Sequence, residues 1–181
     1  MKKKVLVFAV LFLTMYVSRT DQGILPALNS TLKKEFGMSN IELGSLGSMV
    51  YFGAFVGSMV AIPLFDLFPT KLVLIGCCVL QMMALGAFTV VTSYWPQAVA
   101  RFASGACQVI FAIFLPVWTD VFAPTNSKTR WLTLTITAAP LGLLTGYGIS
   151  AIIVTVSNRW EMAFIVIIML MLPLACGIFC I

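Results

Sequence analysis

The chain has 181 residues, of which 61% are hydrophobic and 9% charged, and its formal net charge is +5. A soluble domain carries about 25% charged residues, and a domain of this size leaves much of its chain exposed. No water-soluble fold could bury this much apolar surface, so the composition predicts a protein whose solvent is lipid.

Six apolar runs are long enough to cross a hydrocarbon core about 30 Å thick, which takes about 20 residues each. They cover residues 5–28, 41–65, 71–92, 97–121, 131–155 and 160–181. No polar linker divides them, so we predict one all-α domain over residues 1–181, a bundle of six transmembrane helices. The basic start of the first run is typical of a signal peptide, but residues 16–19 lack a cleavage site, and we expect an uncleaved helix.

Lysine and arginine in short loops predict the orientation, because cytoplasmic loops carry the excess. With the N-terminus inside, the inner side holds Lys2, Lys3, Lys4, Lys71, Lys128 and Arg130, and the outer side holds Lys33, Lys34 and Arg159. We therefore predict a multi-pass protein with both termini in the cytoplasm and membrane lipid around it. The net charge is explained by topology, and no basic aromatic surface indicates a nucleic-acid partner.

The absence of histidine from the chain excludes imidazole metal sites and histidine-based catalysis. The five cysteines lie within apolar runs and lack zinc-type spacing, so we predict packing roles for Cys77, Cys78, Cys107, Cys176 and Cys180. No nucleophile with a matching base is apparent. We predict no catalytic residue, no metal site, no cofactor and no enzymatic activity.

Three ionisable residues, Arg19, Asp21 and Arg101, fall inside predicted helices, where each is a functional-site hypothesis by default. At 1.5 Å per residue, Asp21 lies about 24 Å above the inner edge and Arg101 about 6 Å below the outer edge. These depths coincide, so we predict an ion pair between Asp21 and Arg101. The alternative is that each side chain reaches the outer head groups independently. Arg19 lies on another side of its helix from Asp21, so we expect no local pair.

Polar side chains form one face on each of these two helices. Thr14, Ser18 and Asp21 share a face of the first helix, at about 100° per residue. Arg101 and Gln108 share a stripe of the fourth helix, with Gln108 about 10 Å deeper. An amide in lipid needs a partner or water, so the two faces predict a polar cavity lined by these five residues. Hydrogen bonding between the helices alone is the second interpretation.

Two local patterns predict how helices end and cross. Gly37 is expected to close a helical extension over residues 30–37, and Ser39 to cap the second helix. Small residues at four-residue spacing let backbones approach closely in lipid. Such pairs are Gly44 with Ser48, Gly53 with Gly57, and Gly142 with Gly146.

Several motifs, in the correct order, resemble one known family. Arg101-Phe-Ala-Ser-Gly105 looks like the Arg-x-x-x-Gly signature of helix four in the major facilitator superfamily. Asn158-Arg-Trp160-Glu-Met-Ala-Phe164 resembles the start of helix six in its spinster-like members, as Pro140-Leu-Gly142 resembles their helix five. The resemblance implies the N-terminal six-helix half of that fold, one 3+3 repeat.

The departures from the family pattern concern charge. Of the charged motif usual between helices two and three, this chain keeps Asp66 and Lys71. Together with Asp120 and Arg130 of the next inner loop, they are the residues that the resemblance implies for a cytoplasmic latch. Gln108 stands where spinster-like members often carry glutamate, and glutamine cannot titrate.

The resemblance implies a secondary transporter that moves a small or amphipathic solute by alternating access. Helices one and four would line the path, and helices two and five would face the second half, since the family joins two six-helix halves around a midplane site. We expect a truncated chain, or a half-length one that pairs with a second six-helix half or as a homodimer. The alternative function is a non-transporting membrane scaffold or a transporter remnant.

Overall fold

The computed structural model describes residues 2–157 and 159–180, and this part of the chain is all helical. The helices are α1 (Lys2–Phe36), α2 (Asn40–Leu67), α3 (Thr70–Val90), α4 (Tyr94–Phe122), α5 (Lys128–Ser157) and α6 (Glu161–Cys180), with one 3-10 turn at Thr125–Ser127. Each of the six is long and apolar enough to cross a membrane. The predicted fold class is confirmed, while Met1, Asn158 and Ile181 lie outside the described residues.

Several helices extend beyond the predicted apolar runs. α1 continues through the polar residues 29–36, and α4 begins at Tyr94, three residues before the predicted start. A helix satisfies its own backbone hydrogen bonds, so it does not end where the sequence turns polar. At 35 residues, α1 is about 52 Å long, well over the thickness of a hydrocarbon core.

The turn between α1 and α2 follows the predicted signals. Gly37 has φ of 64°, a left-handed conformation that favours glycine and ends α1. The Ser39 hydroxyl accepts a hydrogen bond from the Glu42 amide at 3.2 Å, and the Ser39 amide donates to the Glu42 carboxylate at 2.8 Å. This reciprocal capping box starts α2 at the predicted residue.

The six helices pack as two long pairs joined at the centre. α1 runs along α5 and α2 runs along α4, while α3 and α6 pack against each other and against α4 and α1. α1 and α4 meet in the middle of the bundle. This arrangement brings together the two helices that carry the ionisable residues.

Glycines make the close crossings of the two long pairs. A Cβ at Gly105 would overlap the carbonyl oxygen of Val50, and a Cβ at Gly53 would overlap that of Phe102. In the α1–α5 pair, a Cβ at Gly146 would overlap the carbonyl oxygen of Thr20. The predicted crossings at Gly53/Gly57 and Gly142/Gly146 are confirmed.

The predicted crossing at Gly44 and Ser48 is wrong. Both residues are exposed, and a Cβ at Gly44 would meet nothing within 4 Å. The Ser48 hydroxyl donates to the Gly44 carbonyl, 3.0 Å away in the same helix. The pair lines a cavity next to Leu25 and Pro26 of α1 and makes no close crossing, and the spacing alone does not distinguish the two cases.

Candidate functional site

The guanidinium of Arg101 and the carboxylate of Asp21 form an ion pair between α4 and α1, through Nη1 and Oδ1. Both side chains are buried, with exposed fractions of 1% and 0%. The predicted pairing is confirmed, and independent contact with the head groups is contradicted. Arg101 lies seven residues, about 10 Å along the helix axis, after the start of α4, which begins three residues before its predicted start.

The second carboxylate oxygen of Asp21 is also held by α4. Oδ2 accepts hydrogen bonds from the Ser104 hydroxyl at 2.7 Å and from the Gln108 side-chain amide at 3.0 Å. All three donors to Asp21 thus come from one face of α4, at positions 101, 104 and 108. A buried carboxylate needs this compensation, because its desolvation cost is repaid only by a partner charge with additional hydrogen bonds.

Gln22 connects this hydrogen-bond network to a neighbouring cavity. Its amide donates to the Gln108 side-chain oxygen at 2.7 Å. Gln22 is half-buried and lines a cavity of about 160 Å³ with Leu25, Tyr51 and Arg101 among other residues of α1, α2 and α4. We call Asp21, Gln22, Arg101, Ser104 and Gln108 the polar centre. A cavity adjoins it, but of the five residues predicted to line a polar cavity only Arg101 lines this one, so the predicted cavity stays a prediction.

Two aromatic rings enclose the Arg101 guanidinium. The rings of Phe88 and Phe164 have their centroids 4.4 Å and 5.1 Å from its central carbon. Trp160 packs edge-on against both rings. Cation–π contact contributes about 0.5–2 kcal/mol. Trp160 and Phe164, from the segment that carried part of the family resemblance, therefore pack around Arg101.

Thr14 and Ser18 are buried but lie outside the polar centre. The Ser18 hydroxyl donates to the Gln81 side-chain oxygen of α3 at 2.7 Å, and the Gln81 amide donates to the Ser18 carbonyl at 3.2 Å. The Thr14 hydroxyl donates to the Val10 carbonyl in its own helix, at 2.8 Å. Of the five predicted cavity residues, the structure brings three together: Asp21, Arg101 and Gln108.

The sequence contained signals for some of the residues we did not select. Ser104 lies three residues after Arg101 and four before Gln108, on the same side of α4. Gln81 is an amide in an apolar helix, and the argument applied to Gln108 selects it equally. Gln22 is likewise an amide within the first predicted span, although it points about 100° away from Asp21 on the helix.

The predicted cytoplasmic latch residues are only partly paired. Asp120 forms an ion pair with Lys128 at 2.7 Å, rather than with Arg130. Asp66 and Lys71 form no ion pair in the described structure, and Lys71 Nζ lies 5.4 Å from the Phe179 ring centre. Exposed pairs of this kind contribute about 0–1 kcal/mol. The latch function stays a prediction.

A half-buried stripe runs along α1 next to the polar centre. It comprises side chains at three- and four-residue spacing that are not fully covered: Phe12, Tyr16, Arg19, Gln22 and Pro26. α2 and α5 pack against α1 and are the least covered helices, with 22% and 17% of their apolar segments buried. We call the exposed side of α2 and α5, together with this stripe, the open face.

Comparison with known proteins agrees with this geometry. Residues 6–181 match the family model of the Major Facilitator Superfamily. The chain therefore belongs to the major facilitator superfamily, as an integral membrane protein with several membrane-spanning helices.

Two curated relatives and one solved structure are similar to the chain. The gentisate transporter of Corynebacterium glutamicum is 25% identical over 162 residues, covering 87% of this chain and 35% of that protein. The probable sphingolipid transporter spinster homolog 2 of Arabidopsis thaliana is 26% identical, covering 96% of this chain and 39% of that protein. The crystal structure of a D-xylose-proton symporter superposes with a TM-score of 0.75 at 16% identity, over 98% of this chain and 48% of that one.

This chain thus spans less than half the length of these relatives. The structural likeness shows the fold, and the family match supports transport as the general class of function. The predicted resemblance, spinster-like members included, is confirmed.

Proposed function

We propose that the chain is part of a secondary transporter that moves a small or amphipathic solute across a membrane by alternating access. The observation that carries the proposal is the Asp21–Arg101 pair with its link through Gln108 and Gln22 to a cavity. Charged groups inside a membrane are costly and mark transport pathways. Relatives named as transporters of gentisate and of sphingolipids support the same class.

The hydrogen-bonding pattern of Asp21 supports a movement of α1 relative to α4 during transport. Every donor to its carboxylate comes from α4, so a displacement of α1 along α4 exchanges all of these hydrogen bonds together. Asp21 is also the acidic group of the predicted membrane interior, which makes it our candidate for coupling. Asp66, Lys71, Asp120 and Arg130 would hold the cytoplasmic side in one state.

The open face supports a partner for this half. Its large apolar side chains are exposed in the described structure, as Tyr51 (63%) and Leu144 (65%) illustrate. We propose that α2 and α5 contact a second six-helix half or a second copy, with the solute between the two halves. A chain without such a partner would act as a scaffold, which is the alternative function.

Uptake by reconstituted vesicles tests the proposed function. The purified chain is expected to accumulate at least one of gentisate, D-xylose and a sphingolipid above the level of empty vesicles. Asp21→Asn is expected to reduce the initial rate more than tenfold, because the charged, paired carboxylate lowers the barrier to transport and asparagine cannot replace its charge. Glu35→Gln, the matched change at an exposed acid at the end of α1, should leave the rate unchanged. Equal leakage in all samples, whatever the oligomeric state, would favour the scaffold.

A further inference from the structure

A second cavity, of about 220 Å³, lies between α1, α3, α4 and α6. Apart from Thr70 and Lys71 its lining is apolar, and it is formed chiefly by Val7, Leu11, Leu74, Phe114, Trp118 and Ile178. It shares no lining residue with the cavity beside Gln22, and in the described part of the chain α2 and α5, the helices of the open face, contribute nothing to it. This cavity is therefore separate from the proposed transport path.

The cavity lies at the end of the bundle where α1 begins, which is the predicted cytoplasmic end. Lys71 is the second residue of α3, while Trp118 and Ile178 lie near the last residues of α4 and α6. Because Lys71 lines the cavity and is also exposed, the apolar interior reaches the surface there. In a membrane this end of the helices lies where head groups meet the hydrocarbon core.

Two lysines flank this opening. Lys71 belongs to the lining, and Lys4 lies on the same side of α1 as Val7, which follows it by three residues. Nζ of Lys4 lies 5.8 Å from the centre of the Phe122 ring, and that ring packs against Trp118 with 5.2 Å between the ring centroids. The opening thus has one cation on α1 and another on α3.

No described carboxylate neutralises these two lysines. Lys4 and Lys71 are exposed, and the ion pairs of the described residues do not include them. Among the acidic side chains at this end, Asp120 is paired with Lys128 at 2.7 Å, and Asp66 is exposed and pairs with neither lysine. The cavity therefore combines an apolar interior with uncompensated positive charge at the surface.

We propose that this cavity binds an acyl chain of an anionic phospholipid, and that Lys4 and Lys71 hold its negatively charged head group. The chain alone gains little, because the surrounding bilayer is as apolar as the lining. The preference comes from the head group, since lysines near the membrane surface attract anionic lipids and basic pockets between membrane helices bind their head groups. The inference does not depend on transport and holds equally for a scaffold.

Quenching of tryptophan fluorescence by brominated lipids tests the proposal, because Trp118 lines the cavity. The other three tryptophans, Trp95, Trp131 and Trp160, are changed to phenylalanine in the full chain, which is reconstituted in bilayers of dioleoylphosphatidylcholine. Lipid with brominated acyl chains is added in increasing fraction, with a phosphatidylglycerol or a phosphatidylcholine head group. We expect half-maximal quenching at a roughly tenfold lower fraction of the phosphatidylglycerol, and a smaller difference at high salt.

A chain that keeps Trp131 instead of Trp118 is the matched control. Trp131 lies at the same end of the bundle, with its ring centroid 4.4 Å from that of Phe8, but it does not line the cavity. It should show no comparable preference, whereas a general enrichment of anionic lipid around this basic end would quench both tryptophans alike.

Two pairs of substitutions test the role of the lysines. Lys4→Gln with Lys71→Gln should abolish the preference of Trp118 for phosphatidylglycerol. Lys33→Gln with Lys34→Gln, at exposed lysines near the opposite end of α1, should leave it unchanged.

The proposal is overturned if the two brominated lipids quench Trp118 equally, if Trp131 shows the same preference, or if the preference survives in the variant without Lys4 and Lys71. Should the three tryptophan changes prevent folding, the difference in quenching between the wild-type chain and Trp118→Phe gives the same comparison.

Discussion

Asp21→Asn is expected to destabilise the folded chain by about 3–5 kcal/mol, because it leaves the Arg101 guanidinium buried without its counter-charge. The asparagine side chain can retain part of the hydrogen bonding with Ser104 and Gln108, but it cannot neutralise a cation with an exposed fraction of 1%. Unfolding in detergent micelles, followed by tryptophan fluorescence, to which Trp160 between Phe88 and Phe164 contributes, measures this loss.

Asp66→Asn is the matched control, since Asp66 is exposed and forms no ion pair in the described structure. Its effect should stay within about 0.5 kcal/mol. The exchange of both charges, Asp21→Arg with Arg101→Asp, should recover stability relative to either single change. A double variant no more stable than the single variants would show that the attraction between the two groups is not what holds α1 to α4.

Gly105→Ala is expected to destabilise the chain by about 1–3 kcal/mol or more, because its new methyl group has no space. The added Cβ would overlap the Val50 carbonyl oxygen and lie 2.7 Å from the carbonyl carbon. These are backbone atoms, so the strain can be relieved only by separating α2 from α4. The same measurement of unfolding detects the change.

Gly76→Ala provides a control that is expected to act in the opposite direction. A Cβ at Gly76 would meet nothing within 4 Å. In the interior of a helix, alanine is more favourable than glycine by about 0.5–1 kcal/mol. Equal effects of the two substitutions would contradict the close contact between α2 and α4.

The depth of each polar group could be predicted from the sequence, because depth depends only on the rise per residue. This is why Asp21 and Arg101 were correctly paired although the predicted start of α4 was three residues late. Once Arg101 is paired with Asp21, helical spacing alone also predicts that Ser104, on the same side of α4, lies near the Asp21 carboxylate.

The rotation of each helix about its own axis could not be predicted in the same way. A helix that is apolar on all sides has no periodicity to distinguish the protein interior from lipid. For this reason the sequence predicts a crossing at Gly44 and Ser48, although both are exposed and line a cavity. Ser18 was assigned to the cavity for the same reason, although it bonds to Gln81 of α3.

Local structure in the inner loop decides which cation lies opposite Asp120. α5 begins at Lys128, directly after a 3-10 turn, and this start places Lys128 rather than Arg130 opposite Asp120. The spacing of charges in a loop does not determine their pairing until the helix boundary is known.

Accessibility of position 22 from both sides of the membrane tests alternating access most directly. Gln22→Cys is introduced into a chain without other cysteines, reconstituted in sealed vesicles, and treated with a membrane-impermeant maleimide from either side. We predict that Gln22→Cys is labelled when the maleimide is added to either side of the membrane. The exposed controls Ile41→Cys and Asn126→Cys should each be labelled from one side only, and the buried control Leu28→Cys from neither. Labelling of position 22 from a single side, or from neither, would contradict a path that opens alternately along α1.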